Sequence, residues 1–166
     1  MPAEPVPTPP LTLSRAAPEP AEAIGARLGH EIGVSDWITV DQPMIDAFAT
    51  LTCDHTPVHV DPASDAGRLF GGTILHGFHT AALLAPLSAN AVPQPEGARY
   101  GINYGLDRLR FVAPVPSGAR IRGRFTLAGF ERVGTEELRL TLDAVIEVEG
   151  RERPALVARW LTRWYF

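Results

Sequence analysis

The polar segment CDHTPVHVDP, residues 53–62, brings two kinds of acid–base side chain together within a few positions. Asp54 and His59 lie on either side of Pro57, which stiffens the turn between them. A carboxylate and an imidazole that face one water molecule can remove its proton and return it near neutral pH. The spacing therefore favours Asp54 and His59 as an acid–base pair.

Metal binding is an alternative chemistry for the same histidines. His55 and His59 are four residues apart, and His76 and His79 are three apart, so two short pairs could bind zinc. However, Pro57 interrupts the first pair, and neither a cysteine pair nor a His-Glu-x-x-His run accompanies them. We therefore expect no metal and no other cofactor.

A purely structural role is the second alternative, and for any one of these residues it is the more common one. Asp54 and Asp61 are typical turn and cap residues, and Asp61-Pro62 predicts a turn and cap before a short helix at 62–68. We expect His55 and His79 to be structural or surface residues.

Cys53 could act as a nucleophile beside a histidine base, but a lone cysteine at a helix end is more often a small buried hydrophobic residue. As the single cysteine it forms no internal disulfide, which is typical of a reducing compartment. The N-terminus lacks the basic and apolar regions of a signal peptide. We expect a cytoplasmic protein.

Length and charge exclude several classes of function. A chain of 166 residues favours one domain, and its net charge of −4 argues against general nucleic-acid binding. The longest apolar-rich segment, residues 74–92, is interrupted by two histidines, a serine and an asparagine. A membrane span needs roughly 20 mostly apolar residues, so we expect none.

The N-terminal segment has a composition of its own. Residues 1–20 contain seven of the sixteen prolines, which cannot sustain a helix or an inner strand. We predict a disordered or extended arm over 1–21 without a catalytic role, with a docking role as the alternative, and a folded domain over 22–166.

The elements that position the polar segment follow from periodicity. Residues 35–41 predict a short strand, and Asp41 and Pro43 are typical of a helix start. Residues 76–91 are apolar nearly all round, which predicts a buried helix, kinked or divided at Pro86.

The remainder of the chain alternates with period two, which predicts strands with one buried face. Four runs show the pattern: YGINYGLDRLRF, RIRGRFTLAGF, ELRLTLDAVIEV and PALVARWLTRWYF. Helices followed by antiparallel strands predict an α+β protein with one apolar helix against a curved sheet.

Three motifs resemble those of the MaoC-like (R)-specific enoyl-CoA hydratases, closest to their NodN-like branch. They are DHTPVHVDP, FGGTILHGF and RFVAPVPSGARI, and they place Asp54, Pro57, His59 and His76-Gly77 on the family's pattern. The resemblance covers about residue 24 to the C-terminus. Two positions depart from it, because Cys53 stands where glycine is common and Thr56 where asparagine is common.

The resemblance implies a hot-dog fold, in which an antiparallel sheet wraps one long central helix, and a homodimer. It also implies hydration of a trans-2-enoyl thioester, carried by CoA or a carrier protein, or the reverse dehydration. Asp54 and His59 would hold the water, and the Gly77 N–H at the start of the helix would stabilise the enolate oxygen.

Other functions stay open at this point. A hot-dog fold also supports a thioesterase, and a non-catalytic acyl-binding subunit is a third interpretation. Small residues of the helix could make room for an acyl tail, namely Ala81, Ala82 and Ala85. The alternating arginines are typical of a solvated strand face and predict no particular phosphate ligand: Arg108, Arg110, Arg120, Arg122 and Arg124.

Overall fold

The computed structural model describes residues 11–166. The helices are α1 (Ala21–Gly25), α2 (Gln42–Thr52), α3 (Pro57–Val60), α4 (Asp65–Phe70), α5 (Gly77–Ala82) and α6 (Leu84–Ala91). The strands are β1 (Glu31–Val34), β2 (Ile38–Thr39), β3 (Tyr100–Phe111), β4 (Arg120–Val133), β5 (Glu137–Val148) and β6 (Leu156–Tyr165). None of the helices within this range is long and apolar enough to cross a membrane.

The strands form one antiparallel sheet in the order β1-β4-β5-β6-β3, with β2 also paired to β4. β5 alternates perfectly between buried and half-buried residues, so that its whole inner face belongs to the core. β3 pairs with β6 at one edge, and its register shifts on both sides of Gly105 and Leu106. The architecture confirms the predicted α+β class and the hot-dog arrangement of sheet and helix.

The central helix is made of α5 and α6, which follow one another through Leu83. The break lies where Pro86 lacks the N–H that would bond the carbonyl of Ala82. Leu83, Leu84 and Leu87 are buried against the sheet. The residues that the structure describes leave the opposite face uncovered, since Phe78 is 75% exposed, so the expectation of a helix buried nearly all round was wrong for that face.

The helix before the polar segment begins as its sequence indicates. The carboxylate of Asp41 accepts a hydrogen bond from the Met44 N–H at 3.0 Å and caps α2, with Pro43 in the first turn. Ile45 and Ala49 are fully buried and fix α2 on the core. The strand predicted over 35–41 is shorter, at Ile38–Thr39.

Three short elements escaped prediction, because α1, α3 and β1 are too brief to show a period. The predicted helix at 62–68 lies at Asp65–Phe70 instead, because the hydroxyl of Ser64 rather than Asp61 caps it. Asp61 closes the preceding turn by accepting the Ala63 N–H.

The proline-rich arm is described from residue 11 onward, where it is extended; residues 1–10 lie outside the described range. The arm follows the C-terminal end of α6. The Ala16 N–H donates to the carbonyl of Ala89 at 2.9 Å, and Asn90 Nδ2 donates to the carbonyl of Ser14 at 2.9 Å. The division at residue 21 stays a prediction.

Candidate active site

Asp54 stands at the end of α2 because Cys53 stops that helix with a left-handed backbone, φ 58°. This conformation favours glycine, which accounts for glycine being common at the position in the family that the sequence resembles. The Cys53 side chain is exposed, so the expectation that it is buried was wrong.

Thr56 holds the carboxylate of Asp54 in place. The Thr56 hydroxyl donates to Asp54 Oδ1 at 2.6 Å, and the Thr56 N–H donates to the same oxygen at 3.3 Å. These bonds, the hydroxyl first, lower the pKa of Asp54 below its ordinary value. The carboxylate is therefore ionised at neutral pH, and its side chain is 47% exposed, which leaves it accessible to a substrate.

His59 is fixed through one ring nitrogen. Its Nδ1 lies 2.7 Å from the carbonyl oxygen of Ile74. A carbonyl only accepts, so Nδ1 carries the proton and Nε2 is left with a free lone pair. Gln42 Nε2 also donates to the backbone carbonyl of His59 at 2.9 Å, which ties α3 to the start of α2.

His76 contacts both candidate residues. It is 2% exposed, and its Nε2 donates to the backbone carbonyl of Asp54 at 3.0 Å. Its ring stacks on that of His59 with centroids 3.7 Å apart. The Phe48 ring lies 5.1 Å from the His76 ring and stacks in turn on His79 at 4.3 Å.

The three polar groups converge on one point. A carboxylate oxygen of Asp54 and one ring nitrogen each of His59 and His76 lie within 4.8 Å of one another. Such a cluster could hold a metal in principle. A metal bound to His76 Nε2 would, however, displace the hydrogen bond from that nitrogen to the Asp54 carbonyl. The spacing instead suits one bridging water.

Gly77 lies beside the pair, at the start of α5. It lines the same cavity of about 300 Å³ as His59. A Cβ added at Gly77 would come within 3.0 Å of the Phe111 ring, so glycine is needed for close packing against β3. Among the described backbone hydrogen bonds none comes from the Gly77 N–H, which is therefore available to a ligand.

His55 and His79 lie outside the cluster. His55 is exposed. His79 is half-buried against Phe48, and burial, followed by the charge of His76, lowers the pKa of His79 to about 4. Both agree with their expected structural or surface roles.

Three of the alternating arginines are ion-paired on the sheet surface. Arg120 bonds Glu149, Arg122 bonds Glu147 and Arg124 bonds Glu31. This agrees with the expected solvated face. Sequence reasoning missed the bond from Thr56 to Asp54, although a threonine two residues after an aspartate is a known turn pattern.

An antiparallel sheet wrapped around a helix, with Asp54 and His59 beside the start of that helix, defines a hot-dog protein with a candidate acid–base site. Residues 23–148 match the family model described as "MaoC like domain". The chain belongs to this family of MaoC-like dehydratases.

Individual relatives agree with this assignment. Nodulation protein N of Rhizobium leguminosarum bv. viciae is 46% identical over 84% of this chain and 87% of its own. 3-hydroxyacyl-thioester dehydratase Z of Mycobacterium tuberculosis is 42% identical over 85% of this chain and 93% of its own. The (R)-hydratase from A. caviae involved in PHA biosynthesis shares the fold, with a TM-score of 0.60 and 22% identity over 81% of this chain and 94% of that chain. Dehydratases and (R)-hydratases are hydro-lyases, which confirms the predicted enzyme class.

Proposed function

We propose that the protein is an (R)-specific enoyl thioester hydratase, or 3-hydroxyacyl thioester dehydratase, with Asp54 and His59 as the catalytic pair. The observation that carries the proposal is the approach of the two side chains within 4.8 Å, with the Nε2 lone pair of His59 left free by the Ile74 bond. We infer that a single water gives one of its hydrogens to Asp54 and the other to His59 Nε2.

Hydration then follows from this geometry. The water donates one hydrogen bond to Asp54 and one to His59 Nε2, so that its oxygen lone pair faces the β-carbon. As the C–O bond forms, Asp54 takes the proton, and the electrons of the double bond move onto the thioester oxygen. The pair returns that proton to the α-carbon. General acid–base catalysis of this kind contributes about 10²–10⁴-fold.

The enolate oxygen needs a fixed donor, and we assign this role to the Gly77 N–H. It is unbonded, it lines the cavity that contains His59, and no side chain at Gly77 blocks the approach. Loss of one oxyanion donor typically costs about 2.7–4 kcal/mol of barrier.

The acyl chain has a path along the central helix. Next to Gly77, Phe78 begins a cavity of about 330 Å³ between the helix and β3. Ala81, Ala82 and Ala85 line it and leave room for methylene groups. This supports the expectation that small helix residues accommodate the acyl tail.

The decisive experiment follows the loss of enoyl-thioester absorbance of crotonyl-CoA. We expect turnover by the wild type, and a loss of about 10²-fold or more in kcat with Asp54→Asn and with His59→Gln. The exposed neighbours supply matched controls, and His55→Gln and Asp65→Asn should keep the rate. Release of free CoA thiol would show a thioesterase instead. Equal rates in all variants would refute the pair.

A homodimer is the assembly that we propose. Within residues 11–166, β3 pairs on one side only, and it carries exposed large side chains: Tyr100, Ile102, Tyr104, Leu106 and Phe111. A long apolar edge strand of this kind is a pairing surface. Ile102→Lys should give a monomer by sedimentation, whereas Ile102→Val should not. A monomeric wild type would contradict the dimer.

We also propose that the protein is located in the cytoplasm, which the lone Cys53 supports.

A further inference from the structure

The proposed acyl path continues beyond the cavity that Ala81, Ala82 and Ala85 line. The cavity next to Phe78 shares three lining residues, Ala85, Asn103 and Trp160, with a second cavity of about 250 Å³ further along the helix. The two cavities therefore form one groove, which we call the helix groove. Its far cavity is lined on the helix side by Ala85, Ser88 and Ala89.

The far cavity combines a mostly apolar wall with five polar side chains. Arg15, Gln94 and Asn103 line it together with Ser88 and Thr162, and Arg15 is the one charged residue among them. The side chains of Arg15, Gln94 and Asn103 make no hydrogen bond or ion pair to any part of the chain that the structure describes. Among the residues that the structure describes no carboxylate lines the cavity, so the charge that they give it is positive.

The docked arm fixes the backbone on both sides of Arg15. Its two neighbours are both tied to α6, Ser14 through Asn90 and Ala16 through Ala89, at 2.9 Å each. Further on, the Glu19 N–H donates to the carbonyl of Gln94 at 2.9 Å. The arm thereby closes the far end of the helix groove with a guanidinium.

We propose that the helix groove selects acyl thioesters whose chain ends in a carboxylate, and that Arg15 is the residue that recognises it. This inference rests on the proposed function. A guanidinium forms paired hydrogen bonds with a carboxylate, and the amides of Gln94 and Asn103 add neutral donors. A methyl terminus would instead desolvate these groups without giving them partners.

The helix sets the length of the chain. Gly77 and Ala85, where the far cavity begins, are eight residues apart, or about 12 Å at ~1.5 Å per residue. An extended chain advances about 1.2 Å per bond, because a residue of three bonds spans ~3.6 Å. An acyl chain of about ten carbons therefore reaches the far cavity, whereas a four-carbon chain does not.

The test compares three substrates: crotonyl-CoA, trans-2-decenoyl-CoA and trans-2-decenedioyl-CoA, the last with a terminal carboxylate. We expect the wild type to prefer the decenedioyl over the decenoyl thioester by about 10-fold or more in kcat/KM. Arg15→Gln should abolish this preference and leave crotonyl-CoA unchanged. Arg139→Gln, which removes a positive charge from the sheet surface, should change none of the three rates.

A preference that survives Arg15→Gln, or a wild type that favours the decenoyl thioester, would overturn the proposal. Binding supplies a readout that does not depend on turnover. Calorimetry with the saturated decanoyl-CoA and its ω-carboxyl analogue should show about 10-fold tighter binding of the diacid, lost in Arg15→Gln. If the diacid binds more tightly but no thioester is turned over, only the hydratase function is refuted. Equal affinities for the two ligands would refute the role of Arg15.

Discussion

The candidate active site and the far end of the helix groove hold their polar side chains in opposite ways. At the active site, which we call the near end, three side chains are already bonded to the protein: Asp54 to Thr56, His59 to Ile74, and His76 to Asp54. At the far end Arg15 and Asn103 have no partner among the described residues. Chemistry requires groups whose orientation is fixed in advance, whereas recognition of a ligand requires donors that are still free.

The largest expected effect comes from loosening the near end. His76→Leu removes the bond to the Asp54 carbonyl and the polar stack on His59, so both candidate residues lose their support. A misplacement of about 1 Å can cost 10²-fold, and we expect kcat for crotonyl-CoA to fall by about that factor. His79→Leu is the matched control, since His79 contacts neither residue. An unchanged kcat in folded His76→Leu would show that the brace is not needed.

The second effect should come from filling the groove between its ends. Ala85→Leu adds volume where the two cavities meet, and we expect kcat/KM for trans-2-decenoyl-CoA to fall by about 10-fold or more. Crotonyl-CoA serves as the internal control because it is too short to reach Ala85. Equal losses for both substrates would place the acyl chain elsewhere.

Gly77→Ala should have a similar or smaller effect, confined to the near end. The new Cβ would meet the Phe111 ring at 3.0 Å and crowd the approach to the Gly77 N–H, so kcat should fall for short and long substrates alike. Gly105→Ala on β3 is the control, because nothing lies within 4 Å of a Cβ there. An unaltered kcat in Gly77→Ala would contradict the oxyanion role.

A smaller change concerns the pH dependence. Thr56→Val removes the hydroxyl that lowers the pKa of Asp54, so that pKa should rise toward its ordinary value. Because catalysis needs the ionised carboxylate, the acid limb of kcat/KM should move to higher pH, with little change at pH 8. Thr56→Ser keeps the hydroxyl and should leave the limb in place. If the wild type, Thr56→Val and Thr56→Ser show the same acid limb of kcat/KM, Thr56 does not control the pKa of Asp54.

The smallest effect concerns stability. The pKa of His79 is about 4 in the folded protein and about 6.5 in the unfolded chain, so the unfolded chain binds more protons in this window. The free energy of unfolding should therefore fall as the pH drops from 6.5 to 4. Urea unfolding at pH 7.5 and 5 should show a smaller drop for His79→Leu than for the wild type or His55→Gln. If the free energy of unfolding falls equally in His79→Leu and the wild type, the lowered pKa of His79 is not the cause.

Much of the fold could be predicted from local pattern. The alternation of residues 137–148 placed Leu140, Leu142 and Ile146 on the buried face, where the structure has them. Pro86 predicted the division of the central helix. The short β1 and β2 could not be predicted fully, because four and two residues hold too little of a period to separate strand from turn.

The sequence by itself determined which residues face the core, where α2 begins and which side chains could do acid–base chemistry, because these depend on neighbours a few positions away. Only the tertiary structure decided what those side chains contact. His59 meets Ile74, His76 meets Asp54 and Arg15 meets the end of α6 across long stretches of chain. A helical or strand period repeats within one element and does not indicate which distant element packs against it.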